Sequence, residues 1–152
     1  MSGIAPSEDR GRISETELQR LLYEYDFLQR FAGLIKTRID TLNALRSNFI
    51  NAKNVLDSLK DKKEGHEVLV PIGGGVYIYC SLKNSQNILI SLGAGYVIEK
   101  TLDQALEYVD ERINEIEKSI EELSKQLNQV ASKLSEIEPI LRKYLSEQRG
   151  SR

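Results

Sequence analysis

Apolar residues recur along this chain in two long runs of alternating three- and four-residue steps, separated by a stretch where the steps shorten to two. The first run is Leu18, Leu21, Tyr25, Leu28, Ala32, Ile35, Ile39 and Leu42, then Leu45, Phe49, Ala52, Leu56 and Leu59 after one extra three-residue step. That extra step reads as a stammer, a local overwinding of a supercoil. The second run goes from Leu102 through Leu106, Val109, Ile113, Ile116, Ile120, Leu123, Leu127, Val130, Leu134 and Ile137 to Leu141 and Tyr144 without a fault. A four-three period keeps one narrow apolar seam on one face of a helix, the signature of a coiled coil. It predicts helices over 14–64 and 101–147, matched in length at roughly 70 Å for 1.5 Å per residue. Equal lengths suit a chain that folds back on itself. Antiparallel pairing would set Leu18 and Leu21 beside Tyr144 and Leu141, with Leu59 meeting Leu102.

Local signals agree. Ser14 with Glu17, and Thr101 with Gln104, have the spacing of capping boxes. Gly65, after Lys62 and Lys63, suits the left-handed residue that ends a helix. Pro139 is the misfit in the second helix, since it removes a backbone donor. Between the helices, 65–100 reads as four short strands, Val68–Ile72, Val76–Leu82, Asn87–Leu92 and Tyr96–Glu99, joined as two β-hairpins. The predicted class is therefore α+β: a long antiparallel coiled coil joined by two β-hairpins. Two hairpins have too little apolar area to stand alone and leave unpaired edges. We expect the hairpins to assemble into an intersubunit β-barrel through Val68, Val70, Ile78, Leu82, Ile88, Ile90, Leu92, Tyr96 and Ile98. Residues 1–13 and 148–152 read as polar tails.

Composition narrows the function. The net charge is −2 and no basic face appears, so nucleic acid is not an expected partner. Ile88–Ile98 is the most apolar stretch, too short and too glycine-broken to span a bilayer, and no signal peptide is visible; the expectation is a soluble, cytoplasmic protein without a membrane partner. Cys80 and His66 are the only residues of their kinds, which leaves little for a metal site. Cys80 alternates with apolar neighbours and reads as a small buried hydrophobe. The glycines at 73–75 and 93–95 sit between strands and lack the Lys-Ser/Thr and helix of a phosphate loop. The carboxylates lie on solvated helix faces. No catalytic residue, cofactor or metal is expected, and the chain does not read as an enzyme.

One feature exceeds what a coiled coil needs. Tyr23, Phe27, Phe31 and Leu34 form a second apolar stripe off the first helix's seam. Leu22, Ile140 and Leu145 add off-seam apolar residues in the same half, where Leu141 and Tyr144 end the second seam. Packing against a neighbouring helix and capture of apolar client surfaces are both open readings.

Helix, two hairpins, helix resembles the archaeal-type α-class prefoldin subunit. Glu67-Val68-Leu69-Val70-Pro71-Ile72 resembles that family's first strand, and the run from Ile88 to Thr101 (ILISLGAGYVIEKT) resembles its last hairpin and the start of its second helix. The likeness extends over residues 14 to about 147. Tyr79-Cys80-Ser81 departs from the family, which often has Pro-Gly in that strand. The resemblance implies a heterohexamer of two α and four β-class prefoldin subunits that holds unfolded client proteins without ATP and passes them to a group II chaperonin. It implies a client-binding set of Leu22, Tyr23, Phe27, Phe31, Leu34, Ile140, Leu141, Tyr144 and Leu145. A coiled-coil scaffold or tether assembling through the hairpins is the alternative. An RNA-gripping arm would need a basic end, and Glu24 and Asp26 balance Arg20 and Arg30.

Overall fold

In the computed structural model, which describes residues 13–150 and the side chains of 13–147, the chain runs helix, four strands, helix. The elements are α1 (Glu15–Leu59), β1 (Glu67–Gly73), β2 (Val76–Ser81), β3 (Asn87–Gly93), β4 (Tyr96–Thr101) and α2 (Leu102–Gly150). Residues 1–12 of the expected N-terminal tail lie outside the described residues. The expected C-terminal tail is corrected in part, because α2 continues through residues 148–150. The described residues form two compact units. A hairpin unit comprises Thr41–Ile120, and a terminal unit holds the residues up to Asp40 with those from Glu121 onward.

Both helices start where short polar side chains satisfy backbone donors left without intrahelical partners. The Glu17 N–H donates to Ser14 Oγ at 3.2 Å. At α2 the box is reciprocal. The Gln104 N–H donates to Thr101 Oγ1 and the Thr101 N–H to Gln104 Oε1, each at 3.2 Å. α2 runs through Pro139 without interruption, whereas α1 ends five residues before the expected boundary at 64. Past that end the chain leaves the helix in tighter turns, the Lys60 N–H donating to the Asp57 carbonyl at 3.3 Å and the Lys62 N–H to the Leu59 carbonyl at 3.0 Å. Gly65, at φ +83°, is not the helix cap. Its N–H donates to the Leu82 carbonyl at 2.7 Å, so it belongs to the strand region.

The seam of α1 differs from expectation in its second half. Leu45 and Ala52 are exposed, Leu45 at 43%. Arg46 and Lys53 take the seam positions instead and are half-buried. The steps through Leu42, Arg46, Phe49, Lys53 and Leu56 are four, three, four, three, so there is no stammer. Long basic side chains can lay aliphatic stems in a seam while the charged ends reach its rim. Here they meet carboxylates of α2: Lys53 Nζ lies 2.6 Å from Asp110 Oδ1, and Arg46 Nε lies 3.9 Å from Glu117 Oε1. The bond to Asp110 holds the Lys53 ammonium above the ordinary lysine pKa.

The two hairpins are copies of one another. Every pair in the β1–β2 register recurs twenty residues on in β3–β4, from Glu67↔Ser81 and Asn87↔Thr101 to Gly73↔Val76 and Gly93↔Tyr96. The irregularity before the turn is repeated, between Pro71 and Gly73 and between Ser91 and Gly93. The turns repeat too. Gly73, Gly74 and Gly75 all have positive φ, as do Gly93, Ala94 and Gly95. Ala94 at φ +50° shows that the backbone geometry, more than glycine itself, is what recurs there. One ladder bond beyond each hairpin repeats as well, Leu82 N–H to the His66 carbonyl at 2.8 Å and Leu102 N–H to the Gln86 carbonyl at 2.9 Å.

Their surroundings differ. The β3–β4 hairpin lays Ile88, Ile90 and Ile98 on a core of Leu56, Leu102, Ala105, Leu106 and Val109. The β1–β2 hairpin contributes nothing to that core. In it only Val68 and Cys80 are even half-buried, which corrects the expectation that Cys80 is buried.

Two predictions follow from the seam. Ile116 is buried and Ile120 only half-buried, so Ile116→Ala should cost about 2–4 kcal/mol in urea denaturation. Leu45→Ala, at an exposed site, should stay within about 0.5 kcal/mol. The Lys53 contribution has a defined pH range. Because its folded pKa is raised, the contribution is complete below the unfolded lysine pKa and is lost as pH climbs through the folded one. The difference in thermal midpoint between the parent and Lys53→Met should hold steady around neutrality and move against the parent only in the alkaline range.

Candidate functional site

In the terminal unit the seam is closed by Leu28, Ile35, Val130, Ile137 and Leu141, with Leu18, Leu21, Tyr25, Ala32, Ile39, Leu123, Leu127 and Leu134 packed around them. Position on the helix then decides which other apolar side chains stay in solvent. Residues advance by roughly 100° around a helix, so Phe27, Phe31 and Leu34, each one residue before a seam position, fall on one flank. Tyr23 falls on the same side. All four are exposed, Tyr23 at 76% and Leu34 at 69%. Phe27 and Phe31 are brought together, their rings stacked at 6.1 Å between centroids and 8° between planes. Such a pair holds its own geometry, which makes it a firmer surface than two separate side chains. Leu22 is exposed as well but follows a seam residue, so it lies on the other flank and does not join the stripe.

The phenylalanines form one wall of a groove of about 700 Å³. Leu28 and Val130 line it from the seam, and Gln126, Gln129, Ser132, Lys133 and Glu136 of α2 line the opposite side. These α2 residues were not candidates on sequence grounds because they are polar. Their signal was positional: Gln126, Gln129, Lys133 and Glu136 each precede a seam residue of α2, as the stripe residues do on α1. The groove is apolar on one wall and hydrogen-bonding on the other. Asp26 and Arg30 beside the stripe neutralise each other in an i,i+4 pair at 3.0 Å.

The α2 candidates divide. Leu141 is a correction: at 7% exposure it is a seam residue and cannot present itself to a client. Tyr144 is half-buried and lines a small groove with Ile13, Ile140, Lys143 and Glu147. Ile140 and Leu145 are exposed. No group of three or more His, Cys, Asp or Glu able to hold a metal occurs among the described residues.

In the hairpin unit the assembly candidates also divide. Val70, Ile78, Leu92 and Tyr96 are exposed, while Val68, Leu82, Ile88 and Ile98 are half-buried. Ile90 is a correction, since it is buried in the chain's own core with Leu56 and Leu102 and is not free to meet another subunit. Leu69, Tyr77, Tyr79, Leu89 and Val97 are exposed apolar residues that the alternation rule had not selected. They point from the opposite faces of the same strands. On the helix side of β3 an apolar groove of about 450 Å³ remains, lined by Phe49, Ala52, Val55, Ile88 to Ser91 and Tyr108 among others.

The prefoldin subunit family model matches residues 28–146, most of the chain and all of the hairpin unit. The chain belongs to the prefoldin family. Its α class is supported by the relatives: prefoldin subunit alpha 1 of Thermococcus kodakarensis is 36% identical over 97 residues, and prefoldin subunit alpha of Thermococcus onnurineus 39% over 98. The first match covers 64% of this chain and 66% of that relative, the second 64% and 67%. The matched region thus spans about two thirds of those prefoldin subunits' length. A filamentous PFD from Methanocaldococcus jannaschii, solved by cryo-EM, shares the prefoldin fold with a TM-score of 0.63 at 20% identity, over 78% of this chain and 96% of that one. Among the described residues no helix is long and apolar enough to cross a membrane.

The divided fate of the α2 candidates can be measured. Leu141→Ala should cost about 2–4 kcal/mol of stability. Leu145→Ser should stay within about 0.5 kcal/mol, since the side chain is mostly exposed. Paired urea titrations by circular dichroism would separate them, and equal losses would place Leu145 in the core.

Proposed function

We propose that this prefoldin subunit is part of an ATP-independent holdase that captures unfolded polypeptides and delivers them to a group II chaperonin. It works in the cytosol as the α-class member of a complex with β-class subunits, and it carries no catalytic step. The observation that carries the reading is the exposed stripe of Tyr23, Phe27, Phe31 and Leu34, with its stacked phenylalanine pair, on a helix whose seam is already filled. A folded soluble chain gains nothing in stability from an exposed aromatic pair, and apolar patches of this kind mark interaction surfaces. The adjoining groove adds chemistry suited to a non-native chain. Apolar side chains would meet Phe27 and Phe31, while unsatisfied peptide groups would find donors and acceptors in Gln126, Gln129 and Lys133.

Each apolar contact of this sort contributes on the order of 1–2 kcal/mol at about 25 cal/mol per Å² buried. Affinity then comes from several weak contacts on several subunits acting at high effective concentration, which also permits fast release. Binding of this type needs no nucleotide, because no contact is strong enough to require driven dissociation.

The test is the triple variant Phe27→Ser, Phe31→Ser and Leu34→Ser. All three sites are exposed, so helicity and assembly should match the parent. Suppression of client aggregation, read by light scattering of a thermally unfolding client at equal chaperone concentration, should fall by several fold. Full protection by an assembled triple variant would assign client capture to other subunits and leave this stripe as a packing surface.

A further inference from the structure

The groove beside the stripe has two rails with helical spacing. On α1, Phe27 and Phe31 line it, and Leu34 continues the same flank at steps of four and three. On α2 the rail is Gln126, Gln129, Lys133 and Glu136, at steps of three, four and three. Each of these residues directly precedes a seam residue, so both rails run alongside the seam and keep its period. The α2 rail is about 15 Å long at a rise of roughly 1.5 Å per residue. Knobs that recur every three or four residues on two neighbouring helices are the surface on which a further helix packs.

The main chain argues for the same occupant. Both walls of the groove are helices whose N–H and C=O groups bond within the helix, so an extended segment laid on Phe27 and Phe31 meets no main-chain partner there. A helical segment arrives with its peptide groups already bonded, except in its end turns. There the amides of Gln126 and Gln129 supply both donors and acceptors. Unfolded chains hold such segments as nascent helices. Charge gives the occupant a second mark. Among the described residues no ion pair holds Lys133 or Glu136, although Asp26 with Arg30, Glu121 with Lys125 and Glu138 with Arg142 are paired in the same unit. A helix seated in the groove turns one edge toward Lys133 and Glu136, and a carboxylate and an ammonium on that edge complement them.

We propose that the groove takes client segments as amphipathic helices of about three turns, with their apolar stripe on Phe27, Phe31 and Leu34 and opposite charges against Lys133 and Glu136. The client segment then packs as a third helix beside the α1–α2 pair, in the helix-in-groove mode. Selection of this kind rests on the reading of the stripe as the client site and says which segments that site accepts. Chains that have begun to form helices are held, and extended, strand-forming segments are left to other surfaces.

The test titrates the full-length chain, co-expressed with a prefoldin β-class subunit, against fluorescein-labelled peptides followed by anisotropy. Two peptides share one composition of leucine, alanine, lysine and glutamate. One sets its leucines at three- and four-residue steps, and the other alternates them with polar residues. A third is the first with proline at its centre. The first should bind about ten-fold more tightly than the other two and gain helicity by difference circular dichroism. Phe27→Ser with Phe31→Ser should remove that advantage. Lys133→Glu should weaken the first peptide several fold, and lysine in place of the peptide's glutamates should restore binding to that variant. Equal or tighter binding of the alternating peptide, still lost with Phe27→Ser and Phe31→Ser, overturns the helical selection and leaves client capture by the stripe standing. Absence of binding, or binding indifferent to both substitutions, overturns the two together. Binding that weakens as chaperone concentration rises marks a second copy already seated in the groove, and overturns the client helix as its occupant.

Discussion

The apolar seam between α1 and α2 is the interaction on which the rest of the structure depends. A chain with no tryptophan, three phenylalanines and 29% charged residues has no means of building a broad core. It buries its leucines and isoleucines along a line, and wherever that line ends it needs something else to cover it. At Leu56, Leu102, Leu106 and Val109 the cover is the β3–β4 hairpin. Without the seam there is no ledge, and without the ledge a two-stranded ribbon has no seat.

Saturation of the seam also shapes the candidate site. Leu28, Ile35, Val130 and Ile137 already fill the interface of the terminal unit, so Tyr23, Phe27, Phe31 and Leu34 on the flank are left exposed. Their exposure is a geometric result of placing apolar residues on the flank of the helix, Phe27, Phe31 and Leu34 one step before seam positions and Tyr23 on the same side. The same step on α2 is occupied by glutamine, lysine and glutamate, which gives the groove its mixed lining. Charged flanks around an apolar stripe keep such a surface from becoming a general aggregation site, because the patch stays narrow.

The hairpin unit sets one local motif in two different surroundings. The twenty-residue repeat was present in the sequence, as VLVPIGGGVYIYCS against ILISLGAGYVIEKT, and the alternating pattern alone did not bring it out. Substitutions hide it: Tyr79 matches Glu99, and Cys80 matches Lys100. Only with the registers side by side does the equivalence of Val70 with Ile90 and of Ile78 with Ile98 emerge. From that equivalence comes the contrast between a covered hairpin and a bare one.

What the sequence determined by itself is what depends on neighbours along the chain. The heptad steps of α2, the caps at Ser14 and Thr101, the two hairpins with their glycine turns and the off-seam stripe were all legible, because helix periodicity, capping and turns act within a few residues. The family resemblance was legible for the same reason, being carried by the continuous segments 67–72 and 88–101. Tertiary structure decided what depends on partners across space. A search for apolar residues could not place Arg46 and Lys53 in the seam, since Asp110 and Glu117, far along the chain, are what make those positions tolerable. Nor could it separate Ile90 from Ile78, because equal hydrophobicity is buried or exposed according to which surface lies opposite. The sequence names the side chains that seek cover, and only the packed structure determines which of them have found it.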